Sequence, residues 1–198
     1  KGTGIASAES GGTGLTDCQR VQLLENMLLD YTYVEVDRIC DPTATKTMVF
    51  NALNTGSTMV NYIGHGSGTS WGTTGFNVTD IHNLNNDWKS CFLLDVACTN
   101  GQYTMNESFS EAWLRAGSMS DPKAGLGTYG SSLVCSWVPP CIMQNEANRL
   151  LVEEVTNTVG GICMGGIMEV LDTEGQDGRI LFEEYNILGD CTIPLRTT

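Results

Sequence analysis

Short apolar runs alternate along the chain with segments in which apolar residues recur at helical spacing. The apolar runs predict buried strands at residues 33–36, 59–63, 92–97 and 124–129. The periodic segments predict helices at residues 18–31, 46–53, 107–116 and 145–154. Such alternation is typical of parallel sheets, because the crossover connections between parallel neighbours cover both faces of the sheet. We therefore predict an α/β fold, a three-layer α-β-α sandwich with a mostly parallel sheet, as a single domain over residues 1–198.

Two of the predicted strands end close to reactive side chains. The strand at 59–63 leads into His65, and the strand at 92–97 leads into Cys98. Ligand sites in parallel sheets lie beyond the carboxyl ends of the strands, so adjacent strands would present these two side chains together. A thiolate attacks a carbonyl carbon, and a nearby imidazole favours the thiolate and later protonates the leaving amine. The pair therefore predicts nucleophilic catalysis by Cys98 with His65.

Glycines on both sides of His65 allow a sharp backbone turn and leave room for a substrate chain. The amides of Gly66 and Cys98 are then candidate donors to a developing oxyanion. Taken singly, a cysteine at a strand end is usually a small buried hydrophobe, and a histidine is usually a polar residue with no special role. The catalytic interpretation therefore depends on the two side chains being adjacent in the fold.

Composition restricts the partners of the protein. The sequence has 23 acidic and 10 basic residues, a formal net charge of −13 that repels a phosphate backbone and favours cationic peptides or metal ions. We expect no nucleic-acid partner, and no apolar run predicts a membrane span. Eight cysteines are compatible with an oxidising compartment, but their spacing leaves the pairing open. Because the chain begins at Lys1 without methionine, we expect a processed or excised fragment with any export signal upstream.

Several motifs together resemble those of a known family, in order and nearly in spacing. In the first half of the chain they are 4–9 (GIASAE), 40–42 (CDP), 61–67 (NYIGHGS), 70–74 (SWGTT) and 95–101 (DVACTNG). Further along they are 107–116 (ESFSEAWLRA), 136–140 (SWVPP) and 188–190 (LGD). The chain from Gly4 to about Thr197 thus resembles the catalytic subdomain of the gingipains, clan CD cysteine peptidases with a caspase-like fold. This resemblance implies an endopeptidase that cleaves after a basic residue.

The resemblance also implies roles for the residues of the reactive pair and for a third residue. It makes His65 the catalytic imidazole, Cys98 the nucleophile, and Glu9 the acid that orients and helps to charge the histidine. For Glu9 the alternative is a solvated loop carboxylate in a glycine-rich segment.

A primary specificity pocket is implied in the same way. Asp17 stands where arginine-specific members have the acid that binds a guanidinium through two parallel hydrogen bonds. Trp137 and Val96 would form apolar walls for the aliphatic part of the substrate side chain. Cys141 stands where a larger residue such as methionine is expected, which leaves the size of the pocket open. Asp17 and Thr16 also precede a helical pattern, so either is a candidate N-cap. We predict that arginyl substrates are hydrolysed faster than lysyl substrates.

Two glutamates are candidate metal ligands. Glu107 and Glu111 lie at i, i+4 spacing in a predicted helix, and related enzymes bind calcium near the segment after the nucleophile. A solvated helix face is the simpler interpretation, since the sequence has no calcium loop of the twelve-residue type. We expect no required cofactor, with structural calcium as an alternative. His82 matches no motif and is predicted to be a surface or capping residue.

These features predict a secreted or cell-surface bacterial cysteine endopeptidase that acts on protein or peptide substrates with basic residues. Two alternatives stay open: a sortase-like transpeptidase of the same family, which passes the acyl group to an amine, and a non-catalytic binding or adhesion module. Members of the family usually carry a preceding subdomain and a following immunoglobulin-like domain, and we expect both to be absent from residues 1–198. The sequence makes no prediction of oligomeric state.

Overall fold

The computed structural model describes residues 1–12 and 14–195. These residues form eight strands: β1 (Gly2–Ala6), β2 (Val36–Cys40), β3 (Met59–Ile63), β4 (Cys91–Val96), β5 (Gly117–Ser118), β6 (Asp121–Pro122), β7 (Gly125–Ser131) and β8 (Tyr185–Gly189). Six of them form the central sheet in the order β2-β1-β3-β4-β7-β8. Strand β8 runs antiparallel to β7, and the other neighbouring strands of this sheet are parallel. Strands β5 and β6 form a separate antiparallel pair.

The same residues form seven helices: α1 (Asp17–Tyr31), α2 (Lys46–Thr55), α3 (Val78–His82), α4 (Phe109–Arg115), α5 (Val138–Val152), α6 (Val159–Glu174) and α7 (Gln176–Glu184). Three of them begin with a capping box, in which the N-cap side chain and the third helical residue each accept a backbone hydrogen bond; the N-caps are Thr16, Asn77 and Ser108. These short polar residues therefore determine where α1, α3 and α4 begin.

Successive side chains of the central strands face opposite helix layers. Val60 of β3 and Leu93 of β4 pack with α2, α3 and α4 on one face of the sheet. Met59 and Leu94 pack with α5, α6 and α7 on the other face, where α1 also contacts α5. Every residue of β3 and β4 is buried, which requires helices on both sides. The predicted three-layer α/β fold with a mostly parallel sheet is confirmed.

The predicted strand at 33–36 is wrong, because β2 begins at Val36. Val34 belongs to the preceding turn region and is 90% exposed. Strand β2 lies at the edge of the sheet, where Ile39 is buried while Asp37 and Arg38 are not. An edge strand needs few apolar residues, so the apolar pattern indicates its position poorly.

Other elements are absent from the sequence prediction, and in two of them, β1 and α6, glycine weakens the apolar signal. The absent elements are β1, α3, β5, β6, α6, α7 and β8, and the helix predicted at 145–154 begins earlier, at Val138. A Cβ at Gly4 of β1 would overlap Val21 of α1, and one at Gly166 of α6 would lie 2.6 Å from the carbonyl oxygen of Met143 in α5. Glycine at these positions lowers the intrinsic propensity of each element but lets the neighbouring helix pack closely.

A disulfide joins Cys18, in the first turn of α1, to Cys40 at the end of β2. The remaining six cysteines are free thiols: Cys91, Cys98, Cys135, Cys141, Cys163 and Cys191. In the part of the chain that the structure describes, none of the helices has the length and apolar character needed to cross a bilayer.

Candidate active site

The two reactive side chains predicted from the strand ends lie level with each other. Strands β3 and β4 are parallel neighbours, and Ile63 pairs with Val96 in their register. His65 and Cys98 each stand two residues beyond that pair, so they leave the same edge of the sheet side by side. The amide of Gly64 donates to the carbonyl oxygen of Val96 at 3.1 Å and extends the pairing toward the two loops.

Gly66 makes the close approach of the two loops sterically feasible. A Cβ at this position would overlap the carbonyl oxygen of Cys98 and lie 2.8 Å from Oδ1 of Asn100. Any larger residue would therefore push the histidine loop away from the cysteine loop. Within residues 1–12 and 14–195, neither the Gly66 amide nor the Cys98 amide donates to another protein group. Both remain available as donors.

The imidazole of His65 contacts the predicted acid. Its Nε2 lies 3.1 Å from Oε1 of Glu9, and the two side chains are 60% and 56% exposed. The ring of Trp137 packs edge-on against the imidazole, with 5.0 Å between ring centroids. Glu9 thus has the contact that the resemblance implied, although high exposure keeps the strength of this ion pair modest.

The half-buried Cys98 sulfur has a second thiol beside it. The Cys98 thiol donates to the carbonyl oxygen of Cys135 at 3.8 Å, and both residues line the same small cavity. Interaction with the Cys135 side chain and the nearby positive charge of His65 lower the pKa of Cys98 to about 6, while burial opposes this shift. The same interaction, together with burial, raises the pKa of Cys135. Cys98 is therefore the more acidic thiol of the pair.

Asp17 is fully buried at the end of a hydrogen-bond chain that reaches the histidine. The Ser7 hydroxyl donates to Oδ2 of Asp17 at 2.5 Å, and Nε1 of Trp137 donates to Oδ1 at 2.9 Å. Burial raises the pKa of Asp17, and the hydrogen bonds from Ser7 and Trp137 oppose that rise. Thr16, not Asp17, is the N-cap of α1. The side chain of Asp17 therefore lies in the interior and does not cap the helix.

The other predicted pocket residues gather around Asp17. Val96 and Cys141 belong to one buried apolar cluster, and Trp137 packs against it. The thiol of Cys141 donates to the carbonyl oxygen of Trp137 at 3.1 Å. A cavity of about 20 Å³ lies beside Cys98 and is lined by Val96 and Trp137 among others. This volume holds roughly one water molecule. Asp17 does not line the cavity and is fully buried, with the Trp137 indole bonded to its carboxylate.

A buried polar network that the sequence analysis missed holds the nucleophile loop. Asp95 of β4 accepts hydrogen bonds from the Asn100 amide at 2.9 Å and from the Trp71 indole at 3.0 Å. Oδ1 of Asn100 in turn accepts from the Gly68 amide, in the loop that follows His65. The network thus connects the loops of His65 and Cys98 beneath the two side chains. Its signal in the sequence is Asp95 itself, a carboxylate inside an otherwise apolar strand.

Asp95→Asn is expected to lower the free energy of unfolding by about 1–3 kcal/mol, because the Asn100 amide would then face another amide donor. The size of this decrease in the free energy of unfolding should depend on pH. Burial raises the pKa of Asp95 to about 7, so between pH 4 and 7 the folded state binds more protons than the unfolded state. The contribution of Asp95 to stability therefore falls as pH rises through this window, and the variant loses that dependence.

Urea unfolding of parent and Asp95→Asn from pH 4 to 8 measures the effect. The difference between them should be largest at the acidic end and shrink toward pH 8. Asp30→Asn, at an exposed position of α1, controls for the loss of one negative charge. A constant difference across the range would contradict the assigned pKa of Asp95.

The predicted pair of calcium ligands does not share a helical face. Glu107 precedes α4, which begins after the N-cap Ser108, and its carboxylate lies 3.1 Å from Nε2 of His82. Glu111 accepts from Ser108 within the capping box and pairs with Arg115 at 3.1 Å. Among residues 1–12 and 14–195, no group of three or more His, Cys, Asp and Glu side chains is arranged to hold a metal ion. The shared face is therefore wrong, and calcium binding itself stays a prediction.

Two further residues of the site were absent from the sequence prediction. Ser7 accepts a hydrogen bond from the Glu9 amide at 3.1 Å while it donates to Asp17, so it connects the acid loop to the pocket. Cys135 contacts the nucleophile but lies in an irregular segment between β7 and α5. Neither a serine in a glycine-rich loop nor a cysteine outside a motif carries a specific signal in a single sequence.

Comparisons with known proteins agree with this geometry. The sequence profile of peptidase family C25 matches residues 16–196. Gingipain R2 of Porphyromonas gingivalis is 34% identical over 201 residues, which cover 98% of this chain and 27% of that protein. Gingipain R1 from the same organism is also 34% identical over 98% of this chain, and the match covers 20% of its length. The chain thus spans about a quarter or less of these curated relatives.

Comparison with solved structures also finds gingipains. The crystal structure of the Arg specific cysteine proteinase gingipain R (RgpB) superposes with a TM-score of 0.95 at 33% identity, over 99% of this chain and 47% of that one. The complex of the Porphyromonas gingivalis RgpB pro- and mature domains also gives 0.95 at 33% identity, over 100% of this chain and 48% of that one. A third structure, described as a protease, has a TM-score of 0.82 at 18% identity and supports the fold alone.

A sulfur and an imidazole at the carboxyl edge of a caspase-like sheet define the class as cysteine peptidases. The family match extends over most of the chain and includes both of these residues. The chain belongs to peptidase family C25.

Proposed function

We propose that this chain is the catalytic part of a cysteine endopeptidase that hydrolyses peptide bonds after a basic residue, with arginine favoured over lysine. The observation that supports it most directly is the adjacent position of His65 and Cys98, with the pKa of Cys98 lowered to about 6. At neutral pH this sulfur is mostly a thiolate, the form that attacks a carbonyl carbon. The likeness to an Arg specific cysteine proteinase supports the same activity.

In the proposed reaction the Cys98 thiolate attacks the carbonyl carbon of the scissile bond. The amides of Gly66 and Cys98 donate hydrogen bonds to the oxyanion that forms. The imidazolium of His65 then gives its proton to the leaving amine, and water hydrolyses the acyl-enzyme with the imidazole as base. Because Nε2 of His65 contacts Glu9, Nδ1 is the nitrogen left for this proton transfer. Glu9 orients the ring through this contact.

The preference for arginine rests on Asp17. Both of its carboxylate oxygens already accept hydrogen bonds, from Ser7 and from Trp137, and the side chain is fully buried. A guanidinium has parallel N–H donors that can take over the interaction of the indole and pair with both oxygens, whereas an ammonium acts as a point charge. Entry therefore requires the Trp137 indole to move aside, after which its face can cover the aliphatic part of the substrate side chain.

Matched arginyl and lysyl peptide amides test this proposal. We expect kcat/KM to be at least about tenfold higher for the arginyl substrate, because one additional charge-assisted hydrogen bond contributes about 1.5 kcal/mol or more. An arginyl chloromethyl ketone should label Cys98, and mass spectrometry locates the modified residue. Labelling of another cysteine would remove Cys98 from the nucleophile role, and equal or reversed preference would remove Asp17 from selectivity.

The two alternative functions, a transpeptidase and a non-catalytic binding module, would give different results with the same peptide substrates. Product analysis with an added amine nucleophile separates hydrolysis from acyl transfer, because a transpeptidase would convert substrate mainly to the new amide. A protein that neither hydrolyses nor transfers, and that is not labelled, would be a binding module. Hydrolysis is favoured because a buried acid lies behind the reactive pair, where it suits a basic side chain.

We also propose that the protein acts outside the cytoplasm of a bacterium. The Cys18–Cys40 disulfide is typical of secreted or cell-surface proteins. The net charge of −13 favours substrates that carry basic residues.

A further inference from the structure

The segment between β7 and α5 brings a second thiol to the proposed nucleophile. The amide of Thr99 donates to the carbonyl oxygen of Leu133 at 2.9 Å, which ties the backbone after Cys98 to this segment. The Cys98 thiol donates to the carbonyl oxygen of Cys135 at 3.8 Å, so the two cysteines are in direct contact. Both side chains line the small cavity at the edge of the sheet, and both are partly exposed.

We propose that Cys98 and Cys135 form a reversible disulfide when the protein meets a hydroperoxide, with Cys135 as the resolving cysteine. The two cysteines contact each other through the Cys98 sulfur and the Cys135 carbonyl oxygen, line one cavity and are both partly exposed, which satisfies the first requirement for such a pair. The loss of peptidase activity on oxidation rests on the proposed function, because Cys98 is its nucleophile. Disulfide formation itself does not depend on that role.

The reaction has two balanced steps. The Cys98 thiolate attacks one oxygen of hydrogen peroxide, the O–O bond breaks, and hydroxide leaves a sulfenic acid on Cys98. The Cys135 thiol then loses its proton and attacks that sulfur, the S–O bond breaks, and the departing oxygen leaves as water. One peroxide thus oxidises two thiols to one disulfide, and the oxygen atoms end in two water molecules. A small thiol such as dithiothreitol reverses the reaction.

The other free thiols are poorly placed to act in this way. Cys91 lies at the start of β4, at the opposite end of the strand from Cys98, and Cys163 is buried in α6. Cys141 is buried and donates to the carbonyl oxygen of Trp137. Cys191 is exposed, but its carbonyl accepts from Gly160 near the start of α6. In the described part of the chain, Cys135 is the thiol that contacts Cys98.

The acidities of the two thiols suit these roles. The pKa of Cys98 is lowered to about 6, so Cys98 is the thiolate that reacts first with peroxide. Interaction with Cys98 and burial raise the pKa of Cys135, which keeps that thiol protonated until the sulfenic acid has formed. After the first step the negative charge on Cys98 is gone, and the main cause of that rise disappears with it.

Peptide mapping of the whole chain under non-reducing conditions tests the inference. The reduced protein is treated with a small excess of hydrogen peroxide at pH 7, free thiols are blocked with iodoacetamide, and the digest is analysed by mass spectrometry. We expect a cross-linked peptide pair joined through Cys98 and Cys135. Cys135→Ser and Cys135→Ala should instead accumulate sulfinic and sulfonic acid at Cys98, while Cys191→Ser, which removes an exposed thiol elsewhere, should behave like the parent.

Recovery of the free Cys98 thiol after reduction of the oxidised protein is the second measurement. Dithiothreitol should restore full alkylation of Cys98 by iodoacetamide in the oxidised parent and in Cys191→Ser, but not in either Cys135 variant. Linkage of Cys98 to a different cysteine, or equal overoxidation of Cys98 in the parent and the Cys135 variants, would overturn the inference. Both measurements are independent of peptidase activity, so a protein that forms the disulfide without hydrolysing peptides would contradict the proposed function alone.

Discussion

Cys98→Ala is expected to lower kcat/KM for an arginyl peptide amide by about four orders of magnitude or more, because no other group replaces the attacking thiolate. His65→Ala should cause a loss of similar size, since it removes both the charge that stabilises the thiolate and the acid that protonates the leaving amine. The double variant should be no less active than the more damaged single variant, because residues that act as a unit do not contribute additively.

Steady-state kinetics with matched amide and ester substrates measures these losses. Cys191→Ala, which removes an exposed thiol, is the control and should keep the activity of the parent. A second measurement follows the chemistry directly: the rate of Cys98 alkylation by iodoacetamide should rise with pH with a midpoint at about 6 and then level off. In His65→Ala the midpoint should move to higher pH, because loss of the imidazolium destabilises the thiolate. Activity retained by Cys98→Ala would refute the nucleophile assignment.

Asp17→Asn is expected to reduce kcat/KM for arginyl substrates by about 100-fold, because it removes the charge from a desolvated pair with the guanidinium. The best comparison uses a citrullyl substrate, which has nearly the same shape as arginine but no charge. The parent should prefer the arginyl substrate strongly, and this preference should nearly disappear in Asp17→Asn. The lysyl substrate should lose less than the arginyl one, because an ammonium makes a less specific contact.

Asp17→Asn is also expected to lower the free energy of unfolding, and this effect has to be distinguished from the effect on substrate selectivity. Both Ser7 and Trp137 donate to Asp17, so an asparagine would oppose one of these donors with its own amide group. Ser7→Ala removes one hydrogen bond to the carboxylate but keeps its charge, which makes it the matched control. If Ser7→Ala and Asp17→Asn lost the arginyl preference to the same degree, the effect would reflect pocket disorder and the role of Asp17 in selectivity would be rejected.

Helix α1 and the central strands β3 and β4 were predictable because their signals are local. The strand at 59–63 matches β3 at both ends, and α1 begins one residue before the predicted helix. The apolar run 92–97 differs from β4 by one residue at each end. Prediction was poorer at β2 and in α6, where an exposed edge and closely packed glycines replace the apolar pattern.

The reactive pair was predictable for a topological reason. Parallel neighbouring strands release their loops at the same edge, so a histidine and a cysteine just beyond two such strands are expected to meet. Their register was not predictable, because strand order depends on long-range pairing and β1, absent from the predicted strands, occupies the place between β2 and β3. The predicted helical face shared by Glu107 and Glu111 was wrong over a smaller detail, because Ser108 is the N-cap of α4 and leaves Glu107 outside the helix.

By itself, the sequence determined the fold class, the identity of the reactive side chains and their glycine neighbours, since each follows from residue type and spacing along a short segment. Only the tertiary structure decided that Asp17 is buried and bonded to Trp137, that Asp95 and Asn100 join the two loops, and that the Cys98 sulfur contacts Cys135. These contacts join residues from different elements, and their hydrogen bonds depend on distances that packing sets. Local patterns carry no information about such distances.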